Sequence, residues 1–251
     1  TMMCGKWHLG SEPSEWPCTR GFDRSFVLIP GAMNYYGGET VGPRTPMALD
    51  DQRFVPPHDG FCSTDAFTDY AVKFLDETKP LNKPFFLYMA YNAPHWPLQA
   101  PQEDIDKYIG AYDAGWQAIR VKRFKRMVDL GVLPASTGMA PMDRGKVKPW
   151  GRLTPDQRKE WALRMSIYAA QITHMDRDIG RLLDELNRLG VADNTLVVFL
   201  SDNGGAAEDP HRGKPGAKLG TRDSFWGYAR PWATVSNTPW RYHKTSAYEG
   251  G

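Results

Sequence analysis

Paired cysteines are what this sequence most plainly lacks. It holds three, Cys4, Cys18 and Cys62, and none forms a CxxC pair. That spacing argues against a zinc site. An odd number rules out full internal pairing, and one disulfide stays open, so cysteine usage does not decide the redox compartment. Charge of one sign is lacking too: 31 basic residues face 29 acidic ones, for a net +2. Without a basic stripe the chain does not read as a nucleic-acid binder. Its densest basic patch, Arg120 to Arg126, falls in a helical pattern and is expected to be a solvated face. No apolar run approaches the ~18 residues of a membrane helix, and no segment reads as a signal peptide.

What is present suits a loop-rich α/β protein. The 251 residues are 41% hydrophobic and include 9 Trp, 11 Tyr and 20 Pro. The length fits one large domain or two small ones.

The pattern alternates helix and strand. Phe22 to Ile29 includes a short strand, inside a stretch from 11 to 62 that otherwise reads as long structured loop. Ser63-Thr64-Asp65 starts a helix running to about Glu77, and Lys79 to Pro84 breaks it. Phe85 to Tyr91 is a continuous apolar run, expected to be a buried parallel strand. Short helices are expected over Glu103–Trp116 and Trp116–Leu130, then a loop over 131–153. The strongest helix begins at Thr154-Pro155-Asp156. Its apolar stripe is Trp161, Met165, Tyr168, Ile172, Met175, Ile179, Leu182, Leu183 and Leu186, with Gly190 as C-terminal cap. His174, inside it, is assigned to packing. Thr195 to Leu200 then reads as a buried strand ending in Ser201-Asp202-Asn203-Gly204-Gly205.

Chemistry-bearing residues fall at the ends of these elements. In an open α/β sheet, ligands bind beyond the carboxyl ends of strands. Asp202 and Asn203 offer hard oxygens suited to Ca²⁺ or Mg²⁺, although Asp-Asn-Gly is also ordinary turn chemistry. Gly5-Lys6-Trp7-His8-Leu9-Gly10 puts Lys6 and His8 on one side if it is extended. His95, held between Pro94 and Pro97, is a candidate acid, base or ligand. After Gly205 comes a loop of about forty residues carrying His211, Arg212, Lys214, Lys218, Arg222 and Arg230. Basic and aromatic residues there suit an anionic, sugar-bearing ligand.

Four ordered motifs together resemble the type I sulfatases of the alkaline phosphatase superfamily. They are Gly5-Lys6-Trp7-His8-Leu9-Gly10, Ala93-Pro94-His95, Ser201-Asp202-Asn203-Gly204, and Lys244 ahead of Tyr248-Glu249-Gly250-Gly251. Trp232 to Arg241 further resembles the bacterial arylsulfatase-like branch. The resemblance implies a three-layer α/β sandwich around a mixed, largely parallel sheet. Residues 1–251 would be one partial catalytic domain, incomplete at both ends. It implies Asp202 and Asn203 as ligands of one Ca²⁺, and Lys6 and Lys244 as sulfate-binding groups. His8 would assist the nucleophile, and His95 would lie near the leaving oxygen. The substrate would be a sulfated small molecule or carbohydrate, and the location periplasmic or extracellular.

The same family uses a formylglycine nucleophile, made from Cys or Ser in a Cys/Ser-x-Pro/Ala-x-Arg motif, whose hydrate attacks sulfur. That motif does not occur here; Ser11-Glu12-Pro13-Ser14-Glu15 has Glu in place of Arg. The paired aspartates that complete the Ca²⁺ site are also absent, and Asp50-Asp51 reads as a loop. The expectation is therefore a piece of a longer enzyme, inactive as it stands, with formylglycine and two metal ligands upstream of Thr1. A phosphodiesterase or phosphonate monoester hydrolase of the same superfamily is the alternative enzyme. A non-catalytic protein that binds sulfated glycans is the alternative outside enzymes.

Overall fold

The computed structural model describes residues 1–37, 47–142 and 146–251. The others, 38–46 and 143–145, belong to stretches read from the sequence as loops, and lie outside the described residues. The chain forms two compact units: residues 1–99 with 171–197, and residues 100–170 with 198–251.

The first unit is built on a five-stranded sheet. Its strands are β1 (Met2–Lys6), β2 (Arg24–Leu28), β3 (Met47–Leu49), β4 (Gln52–Phe54) and β5 (Leu87–Ala90), in the order β4-β3-β2-β1-β5. β1 runs parallel to both β2 and β5, while β2-β3-β4 is antiparallel. The sheet is thus mixed, as expected of an α/β fold. Asp50-Asp51 is the turn of the β3-β4 hairpin. Asp50 accepts from the Ser25 N–H at 2.8 Å and pairs with Arg24.

Helix α1 (Ser63–Thr78) lays Phe67, Ala71, Phe74 and Leu75 on one face of the sheet, against Met2, Cys4, Phe26, Leu28 and Met47. Leu182 and Leu186 join this core. Phe26 stacks on Tyr70 with ring centroids 3.9 Å apart. On the other face Met3, Val27, Ile29 and Ala48 pack with Trp16, which sits between two 3-10 turns. Glu15 closes the first of these turns, accepting from the backbone of Ser11 and Glu12. That gives the Ser11–Glu15 segment a structural use. Gly5 is fixed by crowding: its φ is +120°, and a Cβ there would lie 2.0 Å from the Ala90 carbonyl oxygen.

The second unit is helical. Its helices are α2 (Gln102–Asp106), α3 (Gly115–Asp129) and α5 (Ala229–Ser236). The long α4 (Pro155–Leu189) contributes residues 155–170 here and 171–189 to the first unit. Trp116, Trp150 and Trp232 meet edge-to-face, with centroids 4.8 to 6.1 Å apart. Arg164 is buried. It pairs with Glu160 and Asp209, donates to the Gly227 carbonyl, and lies 4.4 Å over the rings of both Trp161 and Trp226.

Several expectations need correction. Thr195 to Leu200 is not a buried strand: no ladder pairs it among the described residues, and Leu196 is 89% and Phe199 76% exposed. Apolar character favours a strand only when partners take its N–H and C=O groups. β5 is shorter than the run Phe85 to Tyr91 and only half-buried, because it is an edge strand among the described residues. The helix expected over Glu103–Trp116 ends at Asp106, in a succession of turns. The forty-residue loop contains α5, anchored by the wholly buried Trp232. Arg120 is not solvated. It lies one turn from Trp116 on the buried face of α3, 2% exposed, with Nε and Nη2 lacking partners among the described residues. The buried stripe of α4 also differs: Ile167, Gln171, His174, Asp178 and Leu182 face inward, while Ile172 and Leu183 are exposed.

Candidate active site

The first unit carries three of the six expected residues. Lys6 ends β1 and is half-buried. Beyond it, the Trp7 and His8 N–H groups bond the carbonyls of Leu28 and Ile29, at 2.7 and 3.0 Å. His8 is not extended: its φ is 56°, so the two-residue alternation expected to align it with Lys6 is broken. The His8 ring is exposed but seated. A Cβ on Gly31 would come within 2.6 Å of it, so glycine at 31 makes room for the imidazole.

His95 follows β5 by five residues and is held by its backbone. Its N–H bonds the Asn92 carbonyl at 2.9 Å. Its own carbonyl accepts from the Tyr35 hydroxyl at 2.9 Å and from Gln171 Nε2 at 3.4 Å. Gln171 also reaches the Pro97 carbonyl, and Tyr35 the Asn92 carbonyl. The ring Nδ1 is 2.8 Å from the Trp96 carbonyl oxygen. A carbonyl only accepts, so Nδ1 carries a proton and Nε2 is the atom that gains or gives one. Tyr35 and Gln171 were not singled out from the sequence, and no local pattern marks either.

The second unit carries Asp202, Asn203 and Lys244. Asp202 is exposed and Asn203 half-buried. The Ser201 hydroxyl donates to the Asn203 carbonyl, and Asn203 Nδ2 donates to the Gly204 carbonyl at 2.7 Å. That bond orients the Asn203 amide and assigns its oxygen as the remaining acceptor. The Lys244 N–H bonds the Gly205 carbonyl at 3.1 Å, which ties the lysine to this turn. Asn237 completes the tie. Its Oδ1 accepts from the Gly205 N–H at 2.8 Å, and its Nδ2 donates to the carbonyls of Tyr242 and Gly250 at 2.8 and 2.7 Å. There is no room for side chains here: a Cβ on Gly204 would lie 1.8 Å from the Gly250 carbonyl oxygen. Beside Lys244, His243 is buried and bonds Thr234 across 3.1 Å. Asn237 and His243 escaped the sequence reading; a polar Ser236-Asn237-Thr238 run closing α5 was the available signal.

Carbohydrate-facing roles expected of the basic residues after Gly205 meet competition from carboxylates. Lys214 pairs with Asp223 at 2.9 Å, and His211 with Asp209 at 3.1 Å while packing on Trp226.

The Sulfatase family model matches residues 1–251, so the chain belongs to the sulfatase family. It is 37% identical to an uncharacterized sulfatase of Schizosaccharomyces pombe, over the whole chain and 49% of that protein. It is 35% identical to the arylsulfatase of Klebsiella aerogenes, over the whole chain and 57% of that enzyme. Among solved structures it resembles Ps i-CgsB in complex with k-i-k-neocarrahexaose, with 25% identity and a TM-score of 0.61, over all of this chain and 42% of that one. The chain thus spans about half the length of the curated relatives it matches. Among the described residues, no helix is long and apolar enough to cross a membrane.

Proposed function

We propose that the whole protein hydrolyses sulfate esters, R–O–SO₃⁻ + H₂O giving R–OH, SO₄²⁻ and H⁺. The observation that carries this reading is the fastening of Lys244 to the Asp202–Gly205 turn, through Gly205 and Asn237. The backbone of a sequence-distant lysine is thereby tied to the turn that carries two hard oxygen donors. As sulfuryl transfer proceeds, charge accumulates on the equatorial and leaving oxygens. Fixed cations stabilise it without reorganising at the moment of reaction. Lys6 and Lys244 take this role. His95 gives a proton to the leaving oxygen from Nε2, with Nδ1 kept protonated by the Trp96 carbonyl. His8 handles the proton of the attacking group.

Asp202 and Asn203 fit a Ca²⁺ by donor chemistry: a carboxylate, and an amide whose nitrogen is already engaged. A bound Ca²⁺ would add divalent positive charge against the sulfuryl oxygens. It takes about six to eight oxygens, so these two residues are part of a larger set. A formylglycine nucleophile and the other ligands belong, in this reading, to sequence outside 1–251. Residues 1–251 are, in this reading, part of one catalytic domain and are inactive alone. A sulfated carbohydrate is the favoured substrate class, supported by the neocarrahexaose bound to Ps i-CgsB. The protein is exported to a periplasmic or extracellular location, which fractionation of producing cells would check.

The test is hydrolysis of an aryl sulfate and its matched aryl phosphodiester by the full-length protein. Preference for the sulfate supports the proposal, and preference for the diester assigns phosphoryl transfer instead. Tight binding of sulfated glycan with no turnover of either ester would make it a binding protein.

A further inference from the structure

His174 has no part in the chemistry above, yet the first unit buries it among ligating groups. It is 4% exposed, and its Nε2 lies 2.7 Å from Asp65 Oδ1. Asp65 is in the first turn of α1, and Cys62 is that helix's N-cap residue. The Cys62 sulfur, an Asp65 oxygen and a His174 ring nitrogen all lie within 4.8 Å of one another. Tetrahedral Zn²⁺, with bonds of ~2.3 Å to sulfur and ~2.0 Å to nitrogen, sets its ligand atoms roughly 3.5 Å apart. The cluster would close by about an ångström on one side and open by about as much between Asp65 and His174.

A buried acid neighbours this set along α4. Asp178 lies one turn beyond His174 on α4 and is wholly buried. Its Oδ1 accepts from Arg181 at 3.0 Å, but its Oδ2 has no hydrogen-bond partner among the described residues. Burial, and then the negative charge of Asp65, push the Asp178 carboxyl up. Arg181 is shared with Asp69. Arg181 offsets this buried carboxylate at Oδ1, and the unpartnered Oδ2 remains a cost.

We propose that Cys62, Asp65 and His174 bind one divalent ion of the zinc class, with water in the fourth position, joining α1 to the second half of α4. Thiolate, imidazole and carboxylate together favour Zn²⁺ or Co²⁺ over Ca²⁺ or Mg²⁺. As the metal–sulfur bond forms, the Cys62 thiol proton leaves to solvent. The His174 ring proton shifts to Nδ1, freeing Nε2 to ligate. The spacing argument against zinc missed this set because His174 is 109 residues from Asp65.

The test is titration of the metal-free full-length protein with Co²⁺, reading the thiolate-to-cobalt charge-transfer absorption. The expected band saturates at one equivalent, survives Cys18→Ser and disappears in Cys62→Ser. His174→Ala should weaken binding by more than the ~10-fold lower limit seen for outer-shell changes. Absence of the band, or its persistence in Cys62→Ser, overturns the proposal. Should Cys62→Ser fail to fold, Asp65→Asn decides. It keeps an acceptor for His174 but removes the charge, so Co²⁺ affinity should fall with an unchanged far-UV spectrum; unchanged affinity refutes the assignment.

Discussion

Replacing Asn237 by alanine probes the element that holds Lys244 beside the Asp202–Gly205 turn. The side chain is 9% exposed and makes three hydrogen bonds of 2.7 to 2.8 Å, to Gly205, Tyr242 and Gly250. Each neutral bond contributes about 1 kcal/mol net, and a buried group left unsatisfied costs about 1–3 kcal/mol. Water entering the vacated space would satisfy some of the three orphaned backbone groups, so the expected loss is about 3 kcal/mol. For a chain of this size that lowers Tm by about 6–12 °C, at ~2–4 °C per kcal/mol. Asn237→Asp is the sharper comparison. It keeps the acceptor for Gly205 but turns a carboxylate toward two carbonyl oxygens, so it should be no more stable than the alanine variant at pH 7. In the full-length protein, aryl sulfate turnover should fall through kcat, since Lys244 loses its anchor. Denaturant unfolding and steady-state kinetics read both effects. Asn237→Ala within about 0.5 kcal/mol of wild type, the scatter of ordinary surface changes, would refute the reasoning.

Three further outcomes follow from the packing. Gly5→Ala forces a Cβ against the Ala90 carbonyl at φ +120°; strain alone costs about 1–3 kcal/mol, and the overlap should raise the loss further, as read by urea unfolding. Arg164→Met should cost about 3 kcal/mol, the low end for a broken buried pair, because Glu160 and Asp209 remain partly exposed; Arg164→Lys should recover only part, having lost the flat contact with two tryptophans. Asp178→Asn should stabilise the metal-free protein at pH 7. The folded state raises this carboxyl, so the stability it contributes is complete below the unfolded value near ~3.9 and is lost as pH rises. The advantage of asparagine should shrink toward pH 3, and an advantage that grows on acidification would contradict the sign.

The elements that could be read from sequence were those with local signals. The break at Lys79 to Pro84 bounded α1, and Gly190, at φ 75°, marked the end of α4. The motifs around Lys6, His95, Asp202 and Lys244 could be picked out because each is short and ordered along the chain, and their roles rest on the proposed function. What was lost depends on partners. Thr195 to Leu200 has strand composition but no ladder, and composition cannot report whether a neighbour is there. The α4 stripe was misplaced because it was drawn through apolar residues alone, whereas the buried face carries Gln171, His174 and Asp178. Their burial is explained by partners far away in sequence, such as Asp65 for His174 and the His95 and Pro97 carbonyls for Gln171. Asn237 went unnoticed for the same reason: its three partners are backbone groups, which carry no sequence signature.

The most direct test of the account is kcat/KM for an aryl sulfate in full-length Lys244→Ala, alongside wild type. The account predicts a loss of roughly 10²–10³, the scale of removing one preorganised donor to developing negative charge, with thermal stability retained. An unchanged kcat/KM would contradict it, because Lys244, held to the Asp202–Gly205 turn, would then stabilise no charge in the transition state.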